Sequence, residues 1–298
     1  MPGKLKSRNR NINWALAWAR AYLNDRGIKD PYLDAQVLLA HCLGMDIVAL
    51  YRESERQLSP QEIDAFCRLV RRRKKNEPVA YLTGRKEFMG LVFEVSRDVL
   101  IPRPETELMV EKALELYSKN WPGEHVIIAD VGTGCGNIAV SLAKELPLSK
   151  IYAVEISPCA LKIAERNAGV HGAGGQIVFS RGDLLTSLDG LGLEGKLGLI
   201  TANLPYIKSA ELSNLMPDVG LYEPREALDG GPDGLDLYRR LISQALRYLT
   251  KPGFLLMEIG PEQGKEIASF LNISGWKYEC LSDIAGRDRL VIARPKIK

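Results

Sequence analysis

Hydrophobic spacing changes twice along the chain. Over the first part, apolar side chains recur at helical intervals. Trp14, Leu16, Ala17, Trp18, Ala21, Tyr22 and Leu23 fall mostly on one face. Asp30-Pro31 is a stop-and-start signal, and Leu33, Ala35, Val37, Leu38, Leu39, Ala40 and Leu43 form a second set ending at Gly44. Ser59-Pro60 offers an N-cap and a first-turn proline to a third set, Ile63, Phe66, Leu69 and Val70. No β-rich stretch interrupts them, so residues 1–77 are expected to form a small helical bundle. Between 78 and 104 the spacing shortens: Glu87 to Val95 alternates around Gly90, as a β-hairpin does. Pro102 and Pro104 then bracket a rigid segment before a helix expected over 105–119.

From residue 126 short apolar runs and helical patterns alternate. Strands are expected at 126–131, 150–155, 176–180, 197–202, 253–259, 276–281 and 288–294. Helices are expected at 138–146, 158–170, 235–249 and 262–273. Such alternation implies parallel βαβ units with right-handed crossovers. The expected organisation is an N-terminal helical domain over 1–77, a β-hairpin connector over 78–104 and an α/β domain over 105–298.

Composition narrows the class. The apolar share is 46% and the charged share 26%, so a folded globular chain is expected. Met1 to Arg10 carries Lys4, Lys6, Arg8 and Arg10 with no apolar run of the signal-peptide kind. No stretch approaches the roughly 20 apolar residues of a membrane span, and a cytoplasmic, monomeric protein is expected. The five cysteines, at 42, 67, 135, 159 and 280, form no Cys-x-x-Cys pair and read as free thiols. His41, His125 and His171 have no metal-ligand spacing, so no metal is expected. The basic run Arg71 to Lys75 has two readings: cations at a helix C-terminus, or a contact for an acidic partner or RNA.

Candidate chemistry begins at Gly132-Thr133-Gly134-Cys135-Gly136, which follows a strand and opens a helix. Alternate glycines let the backbone turn tightly and approach a ligand, and amides at a helix start favour an anionic group. The spacing is Gly-x-Gly-x-Gly, whereas the dinucleotide fingerprint is Gly-x-Gly-x-x-Gly. Glu155 ends the next strand, where a carboxylate can accept from both hydroxyls of a ribose. This arrangement resembles the class I S-adenosylmethionine-dependent methyltransferases. The resemblance implies a seven-stranded Rossmann-like sheet finished by the last two strands. It also implies S-adenosyl-L-methionine as cofactor, S-adenosyl-L-homocysteine as product, and Asp183 and Leu184 beside the adenine.

Asn203-Leu204-Pro205-Tyr206 follows the strand at 197–202, at the strand-end rim where open α/β sheets bind ligands. A planar amide or aromatic amino nitrogen is a poor nucleophile with N–H donors to satisfy. The Asn203 side-chain oxygen and the Leu204 carbonyl are two acceptors that can hold both hydrogens of such an NH2 group. Pro205 restricts Leu204 to extended geometry, and Tyr206 can supply an aromatic wall. Asn203 also adjoins the cofactor loop's rim. The tetrad resembles the Asn-Pro-Pro-Tyr motif of amino-methyltransferases acting on adenine, cytosine or glutamine amide. Leu204 replaces the first proline, and Asn-Leu-Pro-Tyr is also typical of ribosomal RNA adenine dimethyltransferases.

Four further segments bear on the acceptor: Pro78-Val79-Ala80-Tyr81-Leu82-Thr83-Gly84, Leu100 to Glu107, Tyr222 to Leu235, and Asp283 to Arg289. With the tetrad they resemble the peptide chain release factor glutamine methyltransferases (PrmC or HemK), over residues 14–295. That resemblance implies transfer to the glutamine amide N5 in the Gly-Gly-Gln loop of release factors. The methyl would transfer in line, Pro205 and Tyr206 would line the glutamine stem, and the helical domain would grip the release factor. Arg103 and Glu105 would close over the site or serve a structural ion pair or cap, and Glu223 and Arg225 have the same two readings. A ribosomal-protein glutamine methyltransferase, an adenine N6-methyltransferase and a cofactor-binding module without activity remain alternatives. Direct nucleic-acid binding is not expected, because adenine dimethyltransferases carry their helical domain after the catalytic one.

Overall fold

The computed structural model describes residues 10–283 and 285–296. Lys4, Lys6 and Arg8 of the basic start, and Ile284 of the Asp283–Arg289 segment, lie outside the described residues. The chain forms two compact units, one of 1–84 with 216–222 and one of 85–215 with 223–298.

The first unit is helical. Its elements are α1 (Ile12–Asn24), α2 (Pro31–Leu43), α3 (Ile47–Arg52), α4 (Pro60–Arg73) and α5 (Val79–Thr83). The Asn11 side chain caps α1 by accepting from the Trp14 amide at 2.9 Å. Gly44 ends α2 in a left-handed turn. Ser59 and Glu62 form a reciprocal capping box at the start of α4, at 3.2 and 2.7 Å. Leu16, Leu23, Leu38, Leu39, Phe66 and Val70 meet in one core. Ala17, Ala21 and Leu33, which the spacing assigned to apolar faces, are exposed: Ile12, Ala15 and Ala19 supply the inner face of α1, and Ala35, Leu38 and Leu39 that of α2. The basic run is largely engaged within the unit. Arg72 forks onto Glu77, Arg73 pairs with Asp34 at 2.7 Å, and Lys74 reaches Asp25 at 3.0 Å above the Tyr22 ring.

The second unit opens with the expected hairpin, β1 (Arg85–Phe88) and β2 (Leu91–Glu94). Phe88 pairs with Leu91 across Met89-Gly90, both at positive φ, as a two-residue hairpin turn demands. There follow α6 (Glu107–Asn120), β3 (Ile127–Val131), α7 (Asn137–Glu145), β4 (Lys150–Glu155), α8 (Pro158–Val170), β5 (Ile177–Arg181) and β6 (Leu197–Ala202). The short α9 (Pro217–Gly220) belongs to the first unit. The chain ends with α10 (Asp236–Tyr248), β7 (Leu249–Glu258), α11 (Gly264–Ile273), β8 (Trp276–Ser282) and β9 (Asp288–Pro295).

The seven strands lie in the order β5-β4-β3-β6-β7-β9-β8. Strands β5, β4, β3, β6 and β7 are parallel, and β9 runs antiparallel to both of its neighbours. Of the two final strands only β9 therefore opposes the rest. The order reverses between β3 and β6, the switch point at which open sheets leave a crevice. Register then fixes what meets there. Val131 is level with Val154 and Ala202, and Ala202 is level with Met257. The next residues on the four strands, Gly132, Glu155, Asn203 and Glu258, thus emerge at one rim. Beneath them Val131, Val154, Ile200, Leu255 and Met257 are fully buried.

Candidate active site

A cleft of about 1000 Å³ opens at this rim, lined by the glycine loop, Glu155, Asp183, Leu184 and the start of the Asn203 tetrad. Gly132 and Gly136 adopt φ of +74° and +83°, a region that side chains disfavour. Space for a side chain is tight too. A Cβ at Gly132 would lie 3.0 Å from Leu204 Cδ2, and one at Gly136 would lie 3.1 Å from Ala164 Cβ. The two sequence motifs thus lie side by side at the rim.

The loop is held largely by its own backbone. The Gly132 and Thr133 amides donate to the Val154 carbonyl at 2.9 and 3.0 Å. The Gly134 amide donates to Glu155 Oε2 and the Ser157 amide to Oε1, each at 2.9 Å. Two amides thus fix a carboxylate that has about four lone-pair sites, leaving acceptor capacity toward the cleft. Beneath the loop, the Thr133 and Thr201 hydroxyls donate to Asp130 at 2.6 and 2.8 Å. Burial pushes the Asp130 carboxyl up to about 6, against those hydrogen bonds. Cys135 is buried and its thiol is pushed up to about 12 by burial, so it is no thiolate at neutral pH. Its carbonyl accepts from Asn167 Nδ2 at 2.8 Å. The same Asn167 side chain exchanges hydrogen bonds with the Glu94 backbone at 2.8 and 3.0 Å, tying β2 to the loop.

Leu184 lines the cleft at φ +52° and Asp183 pairs with Arg240 beside it. Among the tetrad, Asn203, Leu204 and Pro205 line the cleft. Tyr206 is not among the lining residues. It packs on the core with its backbone carbonyl accepting from Gln263 at 2.9 Å, so nothing here makes it a wall of the cleft. The Leu204 amide donates to the Tyr238 hydroxyl at 3.2 Å, a bond that a proline could not make. That hydroxyl also lies 3.1 Å from the Leu204 carbonyl and bonds the Glu258 carbonyl. A carbonyl oxygen has two lone pairs, so Leu204 keeps one for a ligand even while accepting from Tyr238. Arg103 pairs with buried Glu223, whose other oxygen accepts from the Ile101 amide at 3.4 Å. Arg225 pairs with Asp229 at 3.0 Å, and Glu105 is exposed.

Sequence reasoning missed Thr106, Asn167, Tyr238 and Glu258. Asn203 Nδ2 donates to Thr106 at 3.2 Å, and Thr106 donates to Glu258 at 2.7 Å. The position of Glu258 at a strand end was a usable signal. The rest act through contacts between distant segments. The five cysteines are unpaired, and among the described residues no cluster of His, Cys, Asp or Glu is placed to hold a metal. No helix among them is long and apolar enough to cross a membrane.

The sheet order and the glycine crevice define a class I methyltransferase fold, and solved structures share it. The hMettl16 catalytic domain in complex with a MAT2A 3'UTR hairpin superposes with a TM-score of 0.57 at 16% identity, covering 74% of this chain and 81% of that one. Another structure of a METTL16 methyltransferase domain gives 0.51 at 17% identity, over 70% of this chain and 90% of that one. At such identities the likeness concerns the fold alone. The chain matches the PrmC N-terminal domain over residues 15–84 and a methyltransferase domain over residues 128–219. It is 41% identical to the release factor glutamine methyltransferase of Geobacter sulfurreducens, over 95% of this chain and 96% of that protein. The Moorella thermoacetica protein of that name is 42% identical over 95% and 98%. The Bacillus cereus protein is 33% identical over 94% and 97%. The chain belongs to the release factor glutamine methyltransferase family.

Proposed function

We propose that this chain transfers a methyl group from S-adenosyl-L-methionine to the side-chain amide nitrogen of the glutamine in the Gly-Gly-Gln loop of peptide chain release factors. The observation that carries the reading is that the Gly132 loop, Glu155 and the Asn203-Leu204 pair line one cleft. A cleft of about 1000 Å³ is at the upper end for small-molecule sites, with room for a cofactor and an entering side chain. The residues suit that cofactor: tight glycine turns admit it, Glu155 offers lone pairs to a ribose, and Asp183 and Leu184 flank its base. When bound, S-adenosyl-L-methionine supplies an electrophilic methyl, whose bond to sulfur breaks as its bond to nitrogen forms.

Asn203 Oδ1 and the Leu204 carbonyl accept the two amide hydrogens and hold the nitrogen in place. Alignment of this kind removes much of the entropic barrier to transfer. As the nitrogen gives up its lone pair its N–H groups become more acidic. Both acceptors then bind more strongly than in the ground state, which is the condition for catalysis. One amide proton leaves afterwards, and no strong base is required. Arg103 and Glu223 brace the segment before α6, and the N-terminal helical unit grips the release factor.

The test is methyl transfer from labelled cofactor to a purified release factor, beside its loop-glutamine mutant, ribosomal protein and ribosomal RNA. Label on the intact factor alone is expected. Label on RNA or on ribosomal protein alone would overturn the assignment.

A further inference from the structure

Asn203 is useful as an acceptor only if its carboxamide points the right way. One end of that group accepts and the other donates, and the two are nearly identical in shape. Some fixed chemistry must choose between them. The candidates adjoin Asn203: Thr106, just before α6, is 1% exposed and lines the same cleft, and Glu258, the last residue of β7, is 3% exposed.

The choice follows from proton counting. A carboxylate has no hydrogen and can only accept. The Thr106 hydroxyl has one hydrogen, and it is given to Glu258 Oε2 at 2.7 Å. What Thr106 then presents to Asn203 is a lone pair. Only the NH2 end can satisfy it, as in the 3.2 Å contact from Asn203 Nδ2. The Oδ1 end is left for the cleft. Resting on the reading of Asn203 as an acceptor for the substrate amide, we propose that Thr106 and Glu258 are positioning residues that lock its carboxamide with Oδ1 toward the reacting nitrogen.

Protonation of Glu258 removes the lock. A neutral carboxyl can donate to Thr106, which frees the hydroxyl to donate to Asn203 Oδ1. The carboxamide can then turn and present NH2 to the substrate's NH2, donor against donor. Burial pushes the Glu258 carboxyl up to about 7. The groups facing it are Arg289 on β9, Arg103 and Glu105 before α6, Tyr206 after β6 and Tyr238 on α10. The two arginines favour the carboxylate and Glu105 opposes it. The charged, locking form is thus the high-pH form, and turnover should rise with pH through about 7.

The experiment is steady-state methyl transfer to a release factor from pH 6 to 9, with cofactor affinity measured separately. Expected are a wild-type kcat that rises through neutrality and a Glu258→Gln variant without that limb. Glutamine can satisfy Thr106 with either end, so its kcat should be low and flat, roughly tenfold below the wild-type plateau. Thr106→Val should lose a similar factor and Thr106→Ser should recover it, with cofactor Kd unchanged throughout. A limb that survives Glu258→Gln, or full kcat in Thr106→Val, would overturn the proposal. The wild-type profile and Thr106→Ser leave the core intact, so the test stands even if a harsher variant misfolds. An Asn203→Ala variant distinguishes the failures. If it is fully active the acceptor reading itself fails, and if it is dead while the other variants are normal only the lock fails.

Discussion

The two sides of the cleft are built in different ways. On the β3–β4 side the ligand-facing surface is backbone: glycine turns and amides, with Glu155 fixed by two of them. On the β6–β7 side it is side chains in series, Asn203 on Thr106 on Glu258, with the Tyr238 hydroxyl under Leu204. Backbone donors cannot change protonation state, so the ligand-facing amides of the first side keep their donor direction as pH changes. Hydroxyl and carboxyl chains can reverse their donor direction, so the second side can be tuned. A binding surface gains from constancy. A surface that must distinguish the two ends of an amide gains from a source of polarity, and Glu258 is that source.

The largest expected effect separates the sides. Asn203→Ala should lower kcat by roughly 10²–10³-fold, the scale for loss of one aligned catalytic hydrogen-bonding group. Cofactor Kd, read by calorimetry, should move little. An equal loss in both would place Asn203 on the binding side. Glu155→Ala should do the converse. It removes a charged acceptor and frees the Gly134 and Ser157 amides, weakening cofactor binding by about 2 kcal/mol, roughly thirtyfold. Near-normal kcat at saturation is expected, and an unchanged Kd would remove Glu155 from the cofactor side. The smallest effect is expected for Leu204→Pro. It loses one amide bond to Tyr238, about 1 kcal/mol of stability, while the carbonyl remains. A thermal melt should show a modest drop with kcat within a fewfold, and a folded but inactive variant would refute the carbonyl's role.

This contrast also explains what the sequence could show. The β3–β4 side was legible because a backbone site leaves its mark on neighbouring residues: glycines at fixed intervals, then one carboxylate at the next strand end. The alternation of strands and helices was legible for the same reason, since each element carries its own period. The reach of the second side was not. Thr106 and Glu258 are 152 positions apart, and no local period couples them. Tyr238 reads as an ordinary inward helix residue until the Leu204 amide is placed beside it. Tyr206 shows the converse limit of a motif. Its place in a motif suggested a cleft wall, but packing against the core decides where its ring sits. The segment 216–222 was equally hidden, because its partners lie in the helical unit, where the Tyr222 hydroxyl donates to the Lys75 carbonyl at 2.8 Å.

Asn167 joins two stretches of chain that the sequence keeps far apart. Its one carboxamide serves the Glu94 amide, the Glu94 carbonyl and the Cys135 carbonyl at once. Local openings of a protein follow such shared fastenings. The hairpin strand β2 and the glycine loop should therefore loosen together. A ligand that closes the loop draws down the open population in proportion to its saturation. The hairpin, which offers no atom to that cleft, would then report its occupancy through slowed amide exchange.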